Sequence, residues 1–306
     1  MEKVVKPRTR PGKRFLENRE PKLIENDKRT LFIRGANANN NVLQALKDFA
    51  ALKKPNAVFF NRKNEMKPIE DSSKLEFFCQ KNDASLFMFG SHNKKRPNNL
   101  VAGRMFDHHI LDMFELGMED FQPLKDFKTA KIAYSTKPML LFTEGFEGTP
   151  ELQRIKNFFI DFFRGPIVEY VNLQGLEHLI AFSVVNNKIL LRSYRVTVNK
   201  SSSKTHGVEL EEIGPHMNFV IRRTKLASED LFKRACKKPK ELKPKKKKNI
   251  QKDVFGSTHG RVHMERQDYN RLQTRKLKGL KKRKSEIMEQ TKNEPNVKKM
   301  KMEESH

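Results

Sequence analysis

The 306-residue chain contains only two cysteines, Cys79 and Cys236, which lie far apart in the sequence. Two such residues cannot build a disulfide framework, and they cannot supply a cysteine-rich zinc site. So small a cysteine content is typical of proteins from a reducing compartment.

Long apolar runs are also absent. No stretch approaches the roughly 20 apolar residues that a helix needs to cross a bilayer. The N-terminus begins with charged residues and lacks the apolar core of a signal peptide. We therefore expect a soluble, intracellular protein that does not span a membrane.

Catalytic motifs are equally scarce. There is no phosphate-binding GxxxxGK[ST] sequence and no GxGxxG sequence. His108 and His109 lie near Asp107 and Asp112, but adjacent side chains on a helix do not face one another, and no zinc-protease spacing is present. Cys79 follows an apolar segment, so packing explains it better than a nucleophilic role. The sequence predicts no enzyme, no metal and no cofactor.

Acidic residues are few compared with basic ones. Lys and Arg total 63 against 37 Asp and Glu, which gives a formal net charge of +26 and a pI near 10.0. Residues 1–30 hold 10 basic and 5 acidic groups, and residues 237–306 hold 23 and 9, so residues 31–236 carry only +7. Such an excess resists compaction, and an anionic partner explains it most simply. Nucleic acid is the leading candidate, and an anionic membrane surface is the other.

Between these basic ends, apolar residues alternate in patterns typical of strands and helices. The pattern predicts a strand at 31–35, a helix that Asn39–Asn41 can cap, and a strand at 56–60. A second unit has a strand within 138–145, a helix that begins at Pro150 after the capping Thr149, and a strand at 167–171.

The two units have equal lengths, since 27 residues separate Leu31 from Val58 and 27 separate Leu140 from Ile167. This match suggests two duplicated α/β halves, at about 31–125 and 137–236. The fold class is therefore α/β. The aromatic residues of the second helix follow the helical period, which favours a core rather than a platform for stacking bases.

The second half continues with strands. The pattern predicts a hairpin over 178–198 that turns at Asn186–Asn187, and more extended chain over 208–224. Ser228 then caps a short helix. Residues 1–30 are predicted to form a basic arm. Residues 237–306 form a basic tail that buries too little apolar surface to offset the entropy cost of ordering, so we expect it to be largely disordered or to fold only on a partner.

Residues 87–107 contain the densest group of donors in the folded region. "SLFMFG" reads as a buried strand that ends at Gly90, and His92–Arg96 would follow at its carboxyl end, where α/β sheets place binding groups. Amides can hydrogen-bond to sugars or base edges, while cations can contact phosphates. An exposed turn would explain the Asn and Pro residues but not the concentration of donors.

Cations within a fold can hold phosphates at fixed positions, whereas tail cations attract any polyanion. Arg222 and Arg223 are adjacent on a predicted strand and should point to opposite faces. An ordinary solvated surface is the alternative for each residue. The candidate RNA-binding residues of the folded region are Arg62, Lys63, His92, Asn93, Lys94, Lys95, Arg96, Arg104, Arg222 and Arg223.

The tail carries two cationic runs, KPKKKK at 243–248 and KKRK at 281–284. Such runs bind phosphates, direct nuclear import or simply keep a tail solvated. The RNA-binding candidates here are Lys245, Lys246, Lys247 and Lys248. The nuclear-targeting candidates are Lys243, Lys245, Lys246, Lys247, Lys248, Lys281, Lys282, Arg283 and Lys284.

Several long blocks resemble the Brix-domain family. They are KRFLENREPKLIEN (13–26), SLFMFGSHNKKRPNNLVAGRMFDHHILDMFELG (85–117), KPMLLF (137–142), FFRGP (162–166), LEEIGP (210–215) and LKPKKKKNI (242–250). The resemblance covers nearly the whole chain and loosens beyond about residue 285. It implies a Brix fold, in which two α/β halves each resemble an anticodon-binding domain.

The resemblance also implies a nucleolar assembly factor for the large ribosomal subunit, without catalytic activity. Its implied partners are large-subunit pre-rRNA, 5S rRNA with its two ribosomal proteins, and the regulator-of-ribosome-synthesis protein. Two alternatives stay open: a protein–protein adaptor whose basic tails serve nucleolar retention, and a DNA-binding chromatin protein. The DNA-binding alternative ranks last, because no helix has the sequence context of a recognition helix.

Overall fold

The computed structural model describes residues 7–129, 132–133, 136–172, 175–199, 207–239, 241–243, 247–262 and 264. The chain divides into two compact units, Met1–Lys243 and Pro244–His306. The first unit contains an extended sheet with helices. The described part of the second unit contains one small hairpin of strands β11 (Ile250–Lys252) and β12 (Thr258–Gly260).

The first half of the larger unit begins with a short helix and then alternates strands and helices. In chain order its elements are α1 (Arg10–Asn18), β1 (Thr30–Gly35), α2 (Asn40–Lys53), β2 (Ala57–Asn64), α3 (Ser73–Lys81), β3 (Leu86–Asn93), β4 (Arg96–Phe106) and β5 (His109–Gln122).

The second half has fewer helices. A 3₁₀ turn at Leu124–Asp126 leads into it, and another at Glu144–Glu147 follows its first strand. Its elements are β6 (Met139–Phe142), α4 (Pro150–Phe163), β7 (His178–Val185), β8 (Lys188–Asn199), β9 (Gly207–Glu212), β10 (His216–Leu226) and α5 (Glu229–Ala235).

One sheet runs through both halves in the order β2-β1-β3-β4-β5-β10-β8-β7-β6, and β9 pairs with β8. Each half has parallel strands at its outer side, β2, β1 and β3 in the first half and β6 and β7 in the second, followed by antiparallel strands toward the centre. The halves meet where β5 pairs with β10 in the antiparallel direction. The predicted α/β class with two similar halves is confirmed.

Helices α2 and α4 begin at the predicted caps. Asn39 Oδ1 accepts a hydrogen bond from the Val42 amide at 2.9 Å, and Thr149 Oγ1 accepts one from the Leu152 amide at 3.3 Å. Both helices bury their apolar stripes in one core that crosses the boundary between the halves. There the Phe49 and Phe162 rings meet edge to face, with their centroids 5.8 Å apart. Because the helices share this core, neither half is packed independently of the other.

The opposite face of the first half has its own smaller core. Helix α3 contributes Leu75 and Cys79, which pack with residues of β1, β3, β4 and β5. Burial raises the pKa of the Cys79 thiol to about 12. A thiol with so high a pKa is a poor nucleophile at neutral pH, so the interpretation of Cys79 as a packing residue is confirmed.

Two predicted local features are wrong. Residues 167–171 do not form a strand: Ile167, Val168, Tyr170 and Val171 are exposed, and Leu140 pairs instead with Ile180 in β7. The equal spacing of the two units therefore has no structural basis. A β-prone segment becomes a strand only where a neighbouring strand pairs with it.

The second wrong feature is the predicted end of a strand at Gly90. Strand β3 passes through Gly90 and continues to Asn93. The glycine is required because a Cβ here would lie 2.4 Å from Val42 Cγ1 and 2.8 Å from Leu46 Cδ1. Its role is to let α2 approach the sheet closely, not to turn the chain.

Candidate nucleic-acid interface

The predicted cationic loop is a tight hairpin between β3 and β4. Lys94 and Lys95 form the turn, and Asn93 pairs with Arg96 across it. The side chains of Asn93, Lys94 and Lys95 are exposed. The hairpin thus presents two cations and an amide to solvent at the carboxyl end of a buried strand.

His92 connects this hairpin to the start of α2. Its Nδ1 atom accepts a hydrogen bond from the Asn98 amide at 3.1 Å and lies 3.1 Å from Asn39 Nδ2. Asn39 also donates to Asn98 Oδ1 at 2.7 Å, while its own oxygen caps the helix. One side of the His92 ring is therefore used to hold the hairpin in place.

The buried Glu115 and its hydrogen-bonded neighbour Asn99 contact three arginines beneath the hairpin. Glu115 Oε2 accepts a hydrogen bond from Arg223 Nε at 2.5 Å, and Oε1 accepts one from Asn99 Nδ2 at 2.8 Å. Arg96 Nη1 lies 3.6 Å from Oε1. Arg222 donates to Asn99 Oδ1 at 2.9 Å. Burial alone would raise the pKa of Glu115, but these donors outweigh burial and hold it below its ordinary value.

The prediction that Arg222 and Arg223 point to opposite faces is wrong. Ile221 pairs with Leu116 and Arg223 pairs with Glu115, so Arg222 is an extra residue in β10. Such a bulge turns two consecutive side chains toward the same side. The Arg222 guanidinium lies over Gly117, where a Cβ would come within 2.6 Å of Nε.

Arg104 lies on the other face of the sheet. Its Nε atom is 3.0 Å from both carboxylate oxygens of Asp112, and Nη1 donates to Asp161 Oδ2 at 2.7 Å. Lys28 Nζ donates to the other Asp161 oxygen at 2.7 Å. Burial lowers the pKa of Arg104, but the two carboxylates raise it above its ordinary value. Because its guanidinium joins β4 to α4, we leave Arg104 out of the interface.

The remaining predicted cations are exposed or lie outside the described residues. Arg62 and Lys63 are exposed near the end of β2, a strand at the edge of the sheet. Lys243, Lys247 and Lys248 are also exposed. The tail candidates outside the described residues are Lys245, Lys246, Lys281, Lys282, Arg283 and Lys284.

A pocket of about 490 Å³ opens at the carboxyl ends of β1, β2 and β3, which we call the strand-end pocket. The loop at 64–70 forms one wall, and the β3–β4 hairpin with Arg223 forms the other. Glu115 and Asn99 lie at its floor. The pocket therefore brings together Asn93, Lys95, Arg96 and Arg223 of the predicted set, while Lys94 stands beside it.

Other kinds of site find no support in the part of the chain that the structure describes. There, no group of three His, Cys, Asp or Glu side chains is placed to hold a metal ion. No helix among these residues is long and apolar enough to span a membrane. Lys94 and Lys95 of the hairpin are among the exposed cations that the larger unit offers to a polyanion.

Comparison with known proteins identifies the family. The model of the Brix domain matches residues 35–223, more than half of the chain. The chain belongs to the Brix-domain family. The resemblance predicted from the sequence is therefore confirmed.

Curated relatives of this Brix-domain chain share most of its length. The ribosome production factor 2 homologue of Mus musculus is 56% identical over 85% of this chain and 86% of the relative. The Drosophila melanogaster homologue is 49% identical over 92% of this chain and 88% of the relative. Ribosome biogenesis protein RPF2 of Saccharomyces cerevisiae is 42% identical over 92% of this chain and 86% of the relative. These relatives extend the similarity beyond the domain to both flanking segments.

Sequence reasoning missed the two residues at the floor of the strand-end pocket, Asn99 and Glu115. The signal for Glu115 was present, since a charged residue within the apolar strand 109–118 must have a buried partner. The signal did not say which of the many arginines would supply that partner. The pocket itself depends on the path of the 64–70 loop, which has no periodic pattern.

Proposed function

We propose that this Brix-domain chain is a non-catalytic assembly factor for the large ribosomal subunit that binds rRNA through the β3–β4 hairpin. Its relatives are named as ribosome production and biogenesis factors. The observation that carries the proposal is the pair Lys94 and Lys95, exposed on a turn whose base is fixed by the His92 and Glu115 contacts.

A fixed base matters because it lowers the entropy lost when the lysines meet phosphates. Arg96 and Arg223 are partly exposed and can extend the cationic surface, although each also contacts Glu115. Arg62, Lys63 and the tail lysines would add further phosphate contacts without sequence preference. Together these groups favour a salt-sensitive interaction with RNA.

The finer assignment follows from the family resemblance. The chain would act in the nucleolus on large-subunit pre-rRNA, together with the regulator-of-ribosome-synthesis protein. It would help to bring 5S rRNA and its two ribosomal proteins to the precursor particle. The tail cations would also direct nuclear import.

The test compares two double variants of the full chain that lose the same charge. Lys94→Ala/Lys95→Ala should weaken binding to 5S rRNA and reduce the slope of log affinity against log salt by up to about 2. The control, Lys47→Ala/Lys125→Ala, removes two exposed lysines near the loop after β5 and should leave both quantities unchanged. Equal losses in the two variants would rule out the hairpin as a specific contact.

The exposed apolar segment at 167–171 favours a second candidate, a protein–protein adaptor whose basic tails serve nucleolar retention. Four of its five residues are large and apolar, and solvent reaches 90% of Tyr170. Exposed apolar clusters of this kind mark interaction sites. In this case, replacing Lys243 and Lys245–Lys248 with Gln should abolish RNA binding, while the hairpin variant should bind normally.

A further inference from the structure

We propose that the strand-end pocket receives a single unstacked nucleotide of the bound RNA and favours bases with an exocyclic amino group over uracil. This inference rests on the proposed rRNA binding and specifies a site for it. Single-stranded segments are the part of RNA whose base edges a protein can reach, so a nucleotide-sized pocket beside phosphate-binding cations fits this ligand.

The position and size of the pocket suit a small ligand. It lies where parallel β1, β2 and β3 end, and open α/β sheets bind ligands beyond the carboxyl ends of their strands. Its volume of about 490 Å³ falls within the range of roughly 300–1,000 Å³ that is common for ligand sites.

The chemistry of the walls suits a flat polar ring. Met66, Ile69 and Phe89 supply apolar surface, against which the face of a base can pack. Asn37 and Asn93 are exposed at the rim, and neither side chain makes a hydrogen bond within the described part of the chain. An amide both donates and accepts, so each can read a base edge.

The charges around the pocket give the nucleotide an orientation. Lys95, Arg96 and Arg223 lie on the hairpin side, which therefore suits the phosphate. Glu65, Lys67 and Glu70 lie on the loop side. Lys67 Nζ is 3.3 Å from Glu70 Oε2, so the Glu65 carboxylate leaves this side with a net negative charge, which disfavours a phosphate. Carboxylates accept hydrogen bonds from amino groups of bases, as Glu and Asp do from cytosine N4. Uracil has no amino group, and the pocket should therefore disfavour it.

The buried carboxylate of Glu115 at the floor of the pocket does not prevent a phosphate from binding near the hairpin. The negative charge of Glu115 is matched by Arg223, at 2.5 Å, and Arg96, at 3.6 Å. Arg222 adds a further cation next to Asn99. A phosphate near the hairpin therefore meets a net positive field although a carboxylate lies below it.

The experiment fills the pocket in the full chain without removing a cation. Ser91 lines the pocket, and within the described part of the chain its side chain makes one long hydrogen bond, 3.5 Å, with Asn99 Nδ2. The probes are the 5′-phosphorylated tetranucleotides of cytidine and of uridine at one salt concentration. The wild type should bind the cytidine probe several-fold more tightly. Ser91→Phe should lose roughly tenfold in affinity for it, with little change for the uridine probe.

Two further variants keep the test decisive if Ser91→Phe unfolds, which circular dichroism would reveal. Asn37→Ala and Asn93→Ala remove only exposed rim amides, and each should reduce the preference for cytidine. Ser183→Phe, on β7 in the other half, is the matched control for an added ring and should bind both probes normally.

The experiments give different results if this inference is wrong and if the proposed function is wrong. If the wild type does not bind 5S rRNA or pre-rRNA at all, both are overturned. If it binds them but shows no preference between the probes, and Ser91→Phe binds equally well, only the pocket assignment is overturned. The pocket assignment is also wrong if Ser91→Phe keeps its RNA affinity but loses a co-purifying protein, because the pocket then holds a protein segment.

Discussion

The ammonium group of Lys53, at the end of α2, donates a hydrogen bond to the backbone carbonyl of Phe162 in the last turn of α4. Its nitrogen also lies 5.4 Å from the centroid of the Phe162 ring. Lys53 is almost fully buried, with 7% of its surface exposed. The Lys53 ammonium group therefore links helix α2 of the first half to helix α4 of the second half.

Burial lowers the pKa of Lys53 to about 8, against 10.5 for a free lysine. Between these values the unfolded chain binds more protons at this position, so the contribution of Lys53 to stability rises as pH increases from about 8 to 10.5. We expect the free energy of unfolding of the wild type to gain up to about 3 kcal/mol relative to Lys53→Met over this range. Urea unfolding at several pH values measures the difference.

The exposed Lys47 on the same helix provides the control for this effect. Lys47→Met replaces an exposed side chain, so its free energy of unfolding should stay within about 0.5 kcal/mol of the wild-type value. A Lys53→Met curve that runs parallel to the wild-type curve would contradict the conclusion that burial lowers the pKa of Lys53.

Acid should destabilise the fold through His178. This residue is buried, and its Nε2 atom forms a 2.9 Å hydrogen bond with Ser193 Oγ. Burial lowers the pKa of His178 to about 4 from 6.5, so stability falls as pH drops from about 6.5 to 4. The loss should approach about 3 kcal/mol at the acid end. His178→Gln, which does not titrate, should lose less stability than the wild type when unfolding at pH 4.5 is compared with pH 7.

Removal of Arg104 should harm folding rather than RNA binding. Arg104→Met leaves the buried carboxylate of Asp112 and the half-buried carboxylate of Asp161 without their guanidinium partner, and Lys28 neutralises only Asp161. Breaking a buried ion pair in this way costs about 3–5 kcal/mol. Chemical denaturation measures that loss. The RNA affinity of the molecules that remain folded should equal that of the wild type, and a clear drop would return Arg104 to the interface.

Gly90→Ala should destabilise the protein although alanine suits a strand better than glycine. The added methyl group would overlap Val42 and Leu46, and overpacking of this kind costs about 1–3 kcal/mol. Gly148→Ala is the matched control, because the nearest atom to its new Cβ is 3.6 Å away and its φ is −65°. Thermal unfolding should separate the two variants, and equal melting temperatures would show that α2 can shift to make room.

Sequence reasoning succeeded where structure depends on neighbours along the chain. The caps Asn39, Thr149 and Ser228 and the turn at Asn186–Asn187 all occur as predicted, and both turn residues have positive φ. Each is decided within about four residues, so local chemistry is sufficient.

It failed where structure depends on distant partners. The segment 167–171 has strand-like composition but no neighbour to pair with, and the bulge that turns Arg222 beside Arg223 is set by pairing with β5. For the same reason the sequence identified the candidate cations but did not show which of them are exposed and which form internal ion pairs. Charge alone does not show that Arg104 forms an ion pair with Asp161 of α4 while Lys94 and Lys95 are exposed.

The pairing of β5 with β10 constrains how the chain can fold during its synthesis. Until residues 216–226 leave the ribosome, β5 has an unprotected hydrogen-bonding edge in the middle of the future sheet. A nascent first half is therefore incomplete whatever its length, and its open edge invites pairing with foreign strands. The first half should therefore be most prone to aggregation in the interval before the second half emerges.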